Sequence, residues 1–440
     1  MGLTLRALRR SPFDREILRL ALPALGALAA DPLVSLVDTA YVGRLGTEAL
    51  AALAVAAAVF AVAFSVFNFL QYGTTPLVAR EIGAGDPTGA GRIAVAAAGA
   101  AVVLGVAAMA VLTAFPATLL GALGAGDELL GPGSEYLRIR ALALPAVMLV
   151  IVGHGVYRGA QDTRTPLLIA LALNGVNLVL DPILIFGFDM GLRGAAWASV
   201  VAQWSGAIGF FVVFRRQRRA LQVEPARPSW REIDRLGRAG GALVLRTASL
   251  LVAFTATTAV AARLGNVPVA AHQVAMQLFI FLSLVLDAVA IAAQAMLGLA
   301  VGRNDPAATR WRAERLVGIG TLAGVGLAVS LVLVLPWLPG LFTTDPAVRD
   351  AIRSIYPQLC LIQVIGGAVF AWDGIVIGVT DFRWALYATA FPAAIVTGLL
   401  VGVAFTGLPL AAVWWAIVAM LALRAAMLSW WHRHRLTKRR

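Results

Sequence analysis

The chain has 440 residues, of which 60% are hydrophobic and only 13% charged, and this composition excludes an ordinary soluble domain. The net charge of +13 would suggest nucleic-acid binding in a soluble protein. Here the arginines lie in short loops between apolar runs, where they are typical of topology signals and lipid-headgroup contacts. The single cysteine, Cys360, excludes an internal disulfide bond and any metal site with two thiolate ligands.

The apolar runs predict an all-α integral membrane protein with twelve transmembrane helices, because each run is long enough to cross a bilayer. They lie near residues 17–43, 48–79, 93–116, 133–157, 165–188, 193–214, 239–262, 267–301, 313–338, 351–377, 384–406 and 409–430. A basic linker at residues 215–238 divides the series. The predicted domains are an N-terminal six-helix bundle (1–214), this linker, and a C-terminal six-helix bundle (239–440).

The distribution of basic residues predicts the orientation of the chain in the membrane. If both termini and the linker share one side, 27 of the 36 Lys and Arg residues lie there and seven lie on the other side. The remaining two, Arg246 and Arg424, fall inside predicted spans. Since cytoplasmic loops carry the excess of basic residues, we expect both termini and the linker in the cytoplasm of a cell-membrane protein.

The two halves of the chain repeat at one constant offset in the residue numbers. Residues 44–46 return as 263–265, residues 83–87 as 302–306, and residues 159–164 as 378–383. Because each copy contains six spans, an even number, both copies insert in the same direction, and the predicted pseudo-two-fold axis runs along the membrane normal. Transporters use this plan to alternate access to a central site. A duplicated channel or scaffold is the other interpretation.

Two carboxylates lie inside the first predicted span. Asp31 and Asp38 are seven residues apart with Ser35 between them, so the three side chains share one face of a helix. A charge at membrane depth costs at least about 2.5–3.5 kcal/mol, so this face is expected to line a bundle interior or a wet cavity and not to contact lipid. A structural carboxylate, satisfied by neighbouring hydroxyl groups, is the alternative for each acid, and more so for Asp31.

The fifth predicted span carries a second polar face, formed by Asn174, Asn177 and Asp181. Each of the two spans has a proline directly after one of its acids, at Pro32 and Pro182. Proline removes a backbone hydrogen bond and crowds the preceding turn, so both helices are expected to bend or break near a carboxylate. Protonation could then change the packing of the helix. Amide and carboxylate oxygens could equally hold a sodium ion, and the residues leave both possibilities open.

The second half does not repeat the acids of the first. At the offset of the repeat, Asp38 corresponds to Thr257 and Asp181 to Leu400. Any cation chemistry that depends on this pair of acids is therefore expected in the first bundle alone.

Other polar side chains fall inside predicted spans and are candidates for a substrate cavity or for a polar network of the second bundle. They are Asn68 and Gln71 in the second span, Arg246 in the seventh, His272, Gln273 and Asp287 in the eighth, and Asp373 in the tenth. Buried opposite charges usually pair, so we expect Arg246 to pair with Asp287 or Asp373, as a structural clamp. Asn68, Gln71 and His272 are as readily explained by hydrogen-bonded helix packing.

Several segments resemble the multidrug and toxic compound extrusion (MATE) family of transporters, and within it the DinF-like branch. They are LVDTAYVG (36–43), RGAQDTRTP (158–166), NLVLDP (177–182), LR (245–246), LD (286–287) and WDG (372–374). The resemblance covers essentially the whole chain. It implies an exporter of organic compounds or drugs, with twelve helices in two parallel six-helix repeats.

The resemblance also implies a cation site in the first bundle, at Asp38 and Asp181, with Asn174 and Asn177 beside them. We expect an antiporter that works as a monomer in the lipid bilayer, binds no nucleic acid and exports a small molecule, with an organic cation favoured as substrate. The proton is the favoured coupling ion, with no further cofactor. Sodium bound at Asp38, Asn177 and Asp181 is an alternative, as are an organic-anion exporter, since plant members of the branch export citrate, and a lipid flippase. No Walker loop or zinc motif points to an enzyme.

Overall fold

The structure is a computed structural model and describes residues 11–436. All regular structure in this range is helical, which confirms the predicted all-α class. The α-helices are α1 (Pro12–Gly43), α2 (Thr47–Phe67), α3 (Phe69–Gly83), α4 (Pro87–Ala114), α5 (Pro116–Ala122), α6 (Asp127–Ala141), α7 (Leu144–Gly159), α8 (Arg164–Pro182), α9 (Gly191–Gln217), α10 (Trp230–Arg263), α11 (Asn266–Gly302), α12 (Pro306–Val334), α13 (Leu338–Phe342), α14 (Pro346–Gly378), α15 (Phe382–Thr406) and α16 (Leu410–Trp431). Two π-helical turns, Ile183–Gly187 and His432–Leu436, extend α8 and α16.

Helices occupy all twelve predicted spans. Within residues 11–436, ten helices are long and apolar enough to cross a membrane, and the number is eleven if the bent pair α6–α7 is counted as one span. The second predicted span, 48–79, consists of two helices, α2 and α3, which meet at Asn68. Asn68 keeps helical φ and ψ angles of −56° and −18°, and its side chain makes no capping hydrogen bond. The backbone amides of Gln71 and Tyr72 donate to the Asn68 carbonyl at 3.1 and 3.2 Å and start α3.

Proline shapes three of the spans in different ways. The axes of α6 and α7 meet at 49°, because Pro145 in the first turn of α7 cannot continue the preceding helix. In contrast, the break expected at Pro32 is absent, and α1 runs on through Pro23 and Pro32 to Gly43. Helix α8 does end at Pro182, where the π-helical turn follows. Membrane helices tolerate such prolines when neighbouring groups satisfy the freed carbonyl oxygens.

The repeat of the sequence reappears in the local backbone. Gly46 and Gly265, which correspond to each other in the repeat, have φ angles of 117° and 118°, which favour glycine. Asp86 and Asp305, a second corresponding pair, each cap the helix that follows. Their carboxylates accept a hydrogen bond from the amide three residues ahead, at 2.7 and 2.8 Å. Both copies therefore build the same turn between two spans.

We expect Gly265→Ala to destabilise the protein by about 1–3 kcal/mol, because alanine is strained at a φ of 118°. Thermal unfolding in detergent measures the loss. Gly326→Ala is the matched control, since Gly326 lies exposed within α12 and an added methyl group meets no atom within 4 Å. This control should be neutral or slightly stabilising. An equal effect of both substitutions would contradict the explanation.

The chain divides into two compact units. One contains residues 22–240, and the other contains residues 241–440 together with the N-terminal stretch up to residue 21. Helices α1 and α10 each begin in one unit and continue in the other. An ion pair joins the N-terminal part of each helix to a neighbouring helix of the same unit. For α1, Arg315 Nε of α12 lies 2.5 Å from Asp14 Oδ1. For α10, Arg235 Nη1 lies 2.8 Å from Glu81 Oε1 of α3.

Candidate functional site

A cavity of about 330 Å³ lies inside the unit formed by residues 22–240, between helices α1, α2, α6, α7, α8 and α9. Its polar lining includes Asp31, Asp38, Tyr136, Arg140, Asn174 and Asn177. Three of the four predicted cation-coupling residues, Asp38, Asn174 and Asn177, therefore line a single space. The walls between the polar groups are apolar, with Phe60 and Leu173 among them.

Helix periodicity explains how α1 and α8 supply their side chains. Asp31 and Asp38 both line the cavity, as their shared helix face predicts. On α8, Asn174 and Asn177 are nearly one turn apart and both are buried. The Asn174 side-chain amide donates a 2.9 Å hydrogen bond to Asp31 Oδ1, which joins the two helices across the cavity. Asp31, whose role the sequence left open, is thus part of the same polar cluster.

Asp181, the fourth predicted residue, is buried with 1% of its surface exposed and adjoins Asp38. Among the residues that the structure describes, neither oxygen of Asp181 receives a hydrogen bond, and neither does Asp38 Oδ1. Two adjoining carboxylates repel each other while both are ionised. Such a pair is stable when it shares a proton or when a cation lies between its oxygens.

Arg140 lines the same cavity and is close enough to act electrostatically on Asp38, but it does not form an ion pair with the Asp38 carboxylate within residues 11–436. None of the ion pairs within residues 11–436 includes Asp38 or Arg140 at the 4.0 Å limit. The Asp38 side chain is half-buried and faces the cavity, so it can exchange a proton with that space.

Sequence reasoning missed two residues of this cavity, Tyr136 and Arg140. They are four residues apart on α6 and therefore share a face. The Arg140 guanidinium lies 4.7 Å from the centre of the Phe60 ring, a cation–π arrangement. By its place in the sequence, Arg140 belongs to the seven basic residues expected on the non-cytoplasmic side. Its position inside the fourth predicted span was the available signal, because a charge there is costly unless it faces a polar space.

In the other unit, two arginines meet at the buried carboxylate of Asp373. Arg246 Nη2 donates to Asp373 Oδ2 at 2.8 Å, which confirms that Arg246 pairs with one of its two expected partners. Arg424 donates to the same oxygen, a contact that the sequence did not predict. His272 is fully buried, and its Nε2 lies 3.2 Å from the Thr258 hydroxyl. The cluster is held by direct contacts, which is typical of a structural clamp.

The remaining candidates do not line the acidic cavity. Asn68 and Gln71 are half-buried at the junction of α2 and α3. Gln273 is exposed on α11, and Asp287 is half-buried on the same helix. A role for these four residues in a substrate cavity stays a prediction.

The MatE family model matches the chain twice, at residues 23–183 and 242–403. The two starting points, residues 23 and 242, correspond to each other at the offset of the internal repeat. The two matches together cover most of the chain, and each falls on one of the two halves that the sequence predicts.

Similar proteins point to the same family. The chain is 33% identical to DETOXIFICATION 44, a chloroplastic protein of Arabidopsis thaliana, over 94% of this chain and 81% of the relative. It is 31% identical to the DNA damage-inducible protein F of Escherichia coli K12, over 96% of this chain and 92% of the relative. A solved outward-facing multidrug resistance transporter of the MATE family superimposes with a TM-score of 0.88 at 25% identity, over 99% of this chain and 98% of that chain. The chain therefore belongs to the MatE family, the multidrug and toxic compound efflux transporters.

Proposed function

We propose that this transporter is a proton-coupled antiporter that exports organic compounds across the cell membrane by alternating access. The adjoining carboxylates of Asp38 and Asp181 carry this proposal. They are partly or fully buried, lack hydrogen-bond donors at three oxygens within the described residues, and lie at the edge of a cavity that a small molecule can enter. A proton is the smallest ligand that relieves their repulsion.

The coupling follows from competition for negative charge. A proton that binds the Asp38–Asp181 pair neutralises the cavity and weakens its hold on a cationic substrate. When the proton leaves toward the cytoplasm, the restored charge attracts the next cation. Moving one charge through the membrane potential is worth about 2.3 kcal/mol per 100 mV, which is sufficient to drive a useful concentration gradient.

Sodium is the alternative coupling ion. The oxygens of Asp38, Asp181 and Asn177 can all face one cation, but a sodium ion needs a larger shell of oxygens than the two carboxylates supply. A proton needs only one of them. We therefore favour the proton and test the two ions separately.

An organic anion is the alternative substrate, and Arg140 favours it. Its guanidinium lines the cavity, stacks on Phe60 and takes part in none of the ion pairs within residues 11–436. An arginine in this setting suits a carboxylate-bearing compound. The substrate test therefore includes organic acids as well as lipophilic cations.

Reconstitution in proteoliposomes tests the proposal. Proton and sodium gradients are imposed one at a time, and transport is measured for a panel of lipophilic cations and organic acids such as citrate. With an imposed proton gradient, we expect the substrate to move in the direction opposite to the proton flow. With a sodium gradient alone, we expect no substrate movement. Coupling to sodium alone, or transport that ignores both gradients, would contradict proton antiport.

The proposal places both termini and the linker in the cytoplasm, and single cysteines test this. Cys360 is the only cysteine, so Cys360→Ser provides a cysteine-free background. On that background, we expect Ala220→Cys in the linker to react in intact cells only with a membrane-permeant maleimide. Thr47→Cys, between the first two spans, is the control and should react with an impermeant reagent. Both side chains are exposed in the structure. The reverse labelling pattern would invert the assigned orientation.

A further inference from the structure

A second cavity lies in the same unit and shares no lining residue with the acidic one. Its volume is about 440 Å³, and it is formed by α4, α7 and α9 together with Pro225 of the linker. The lining is mostly aromatic and aliphatic, with Trp204 and Phe211 as examples, and it includes Gly153. The Trp204 indole nitrogen is satisfied by the Leu142 carbonyl oxygen at 3.1 Å. We call this cavity the apolar groove.

The apolar groove opens on the outer face of two membrane spans. Val95 on α4 and Trp204, Ile208 and Phe211 on α9 line it and remain exposed. Both helices are long and apolar enough to cross a membrane, so these side chains face hydrocarbon. From Trp204 to Phe214 the groove follows α9 for ten residues, or about 15 Å. This length is half of a hydrocarbon core of about 30 Å, which is the depth of one leaflet.

A cluster of cations lies at one end of the apolar groove. Arg215, Arg216, Arg218 and Arg219 follow Phe214 directly, and all four are exposed. None of them belongs to an ion pair in the part of the chain from residue 11 to 436. The only acid in the stretch from Phe211 to Pro225 is Glu224, so the cluster keeps a net positive charge.

One contact connects the charges to the apolar groove. The Arg215 guanidinium lies 5.8 Å from the centre of the Phe211 ring, which is part of the groove wall. An apolar channel of one-leaflet depth therefore ends beside a set of unneutralised guanidinium groups.

We propose that the apolar groove is a binding site for an anionic glycerophospholipid. One acyl chain fills the groove, and the phosphate lies at the arginine cluster. The acyl chain gains little by leaving bulk lipid, because both surroundings are apolar. Preference among lipids must therefore come from the charge of the headgroup.

A second copy of the chain is the competing occupant, and the charges disfavour it. In a two-fold symmetric contact the same patch would face itself and bring the arginine clusters together. An anionic headgroup neutralises the cluster instead.

Native mass spectrometry of the delipidated full-length protein tests this proposal. The protein is titrated with phosphatidylglycerol and with phosphatidylcholine of the same acyl chains. We expect the anionic lipid to bind about tenfold more tightly, and Arg215→Gln/Arg216→Gln to remove this preference. The control variant Arg303→Gln/Arg383→Gln removes two other exposed arginines and should keep it.

A groove-filling substitution gives a second, independent measurement. Ala98 is half-buried in the wall of the apolar groove, so Ala98→Phe should reduce the binding of both lipids. Val103→Phe adds the same ring to an exposed position of α4 outside the groove and should change nothing. Equal affinity for the two lipids, an unchanged preference in the Arg215/Arg216 variant, or a dimer in place of lipid adducts would each overturn the proposal. If Ala98→Phe fails to fold, the lipid preference of the arginine variants alone decides whether the proposal holds.

Discussion

Replacing Asp38 by asparagine is expected to reduce proton-driven transport in proteoliposomes to the level of empty liposomes. Asparagine has nearly the same shape as aspartate, so folding should be retained. Its amide can donate a hydrogen bond to the buried oxygens of Asp181, which have no donor among the described residues, and so imitates the protonated pair permanently. A site that can no longer gain and lose a proton cannot couple substrate movement to the gradient.

Matched substitutions separate this role from a general effect of lost charge. Asp181→Asn should behave like Asp38→Asn, because in either variant the new amide can donate a hydrogen bond to the remaining carboxylate of the pair. Asp189→Asn removes an exposed carboxylate from the turn before α9 and should leave coupled transport intact. Thermal unfolding in detergent verifies that each variant is folded. Full coupling in the Asp38 variant would reject the proposed role of the acidic pair, and so would an equal loss in the Asp189 variant.

Replacing Asp373 by alanine is expected to cost about 3–5 kcal/mol of stability. Asp373 is buried, and its Oδ2 accepts from Arg246 and Arg424; the Arg424 side chain is 4% exposed. Removal of the carboxylate leaves Arg424 deep in the unit without the acceptor that compensates its desolvation. The apparent unfolding temperature in detergent should fall steeply, and Asp373→Ala/Arg424→Leu should recover part of the loss.

Asp350→Ala is the control on the same helix, α14. Asp350 forms a 3.0 Å ion pair with Arg353, but both side chains are largely exposed, so the expected cost is below about 1 kcal/mol. Because the Asp373 cluster is a structural clamp and not a proton-binding site, variants that remain folded should keep their proton coupling. A loss of coupling in Asp373→Ala without any change in the unfolding temperature would instead make the cluster part of the transport machinery.

The local pattern of the chain was sufficient to predict which helices exist and which of their faces are polar. The spacing of Asp31 and Asp38 predicted their common face, and the same reasoning placed Asn174 and Asn177 together on α8. The internal repeat predicted matching turns, and Gly46 and Gly265 have nearly identical φ angles. These features depend on residues close in sequence, where helix periodicity and backbone sterics decide the outcome.

Even so, some local features were missed. The bend between α6 and α7 follows from Pro145, so its signal was present in the sequence. The second predicted span divides at Asn68, whose side chain makes no capping hydrogen bond, and the structure gives no local cause for that division. Apolar content alone predicted continuous helices in both places. At Pro32, where a bend or a break was expected, α1 does not break. Whether a proline ends a helix depends on neighbours that can satisfy the freed carbonyl oxygen.

By itself, the sequence determined the helices, their polar faces, the internal repeat and the membership in the family. Only the tertiary structure decided which polar faces meet: Asn174 bonds Asp31 across 143 residues of chain, and Tyr136 and Arg140 join the same cavity. It also showed that Asp373 is a partner of Arg246 and added Arg424 to that cluster. The physical reason is that periodicity orients a side chain about its own helix axis. The helix that it faces is chosen by the packing of many distant side chains together, which no short stretch of sequence contains.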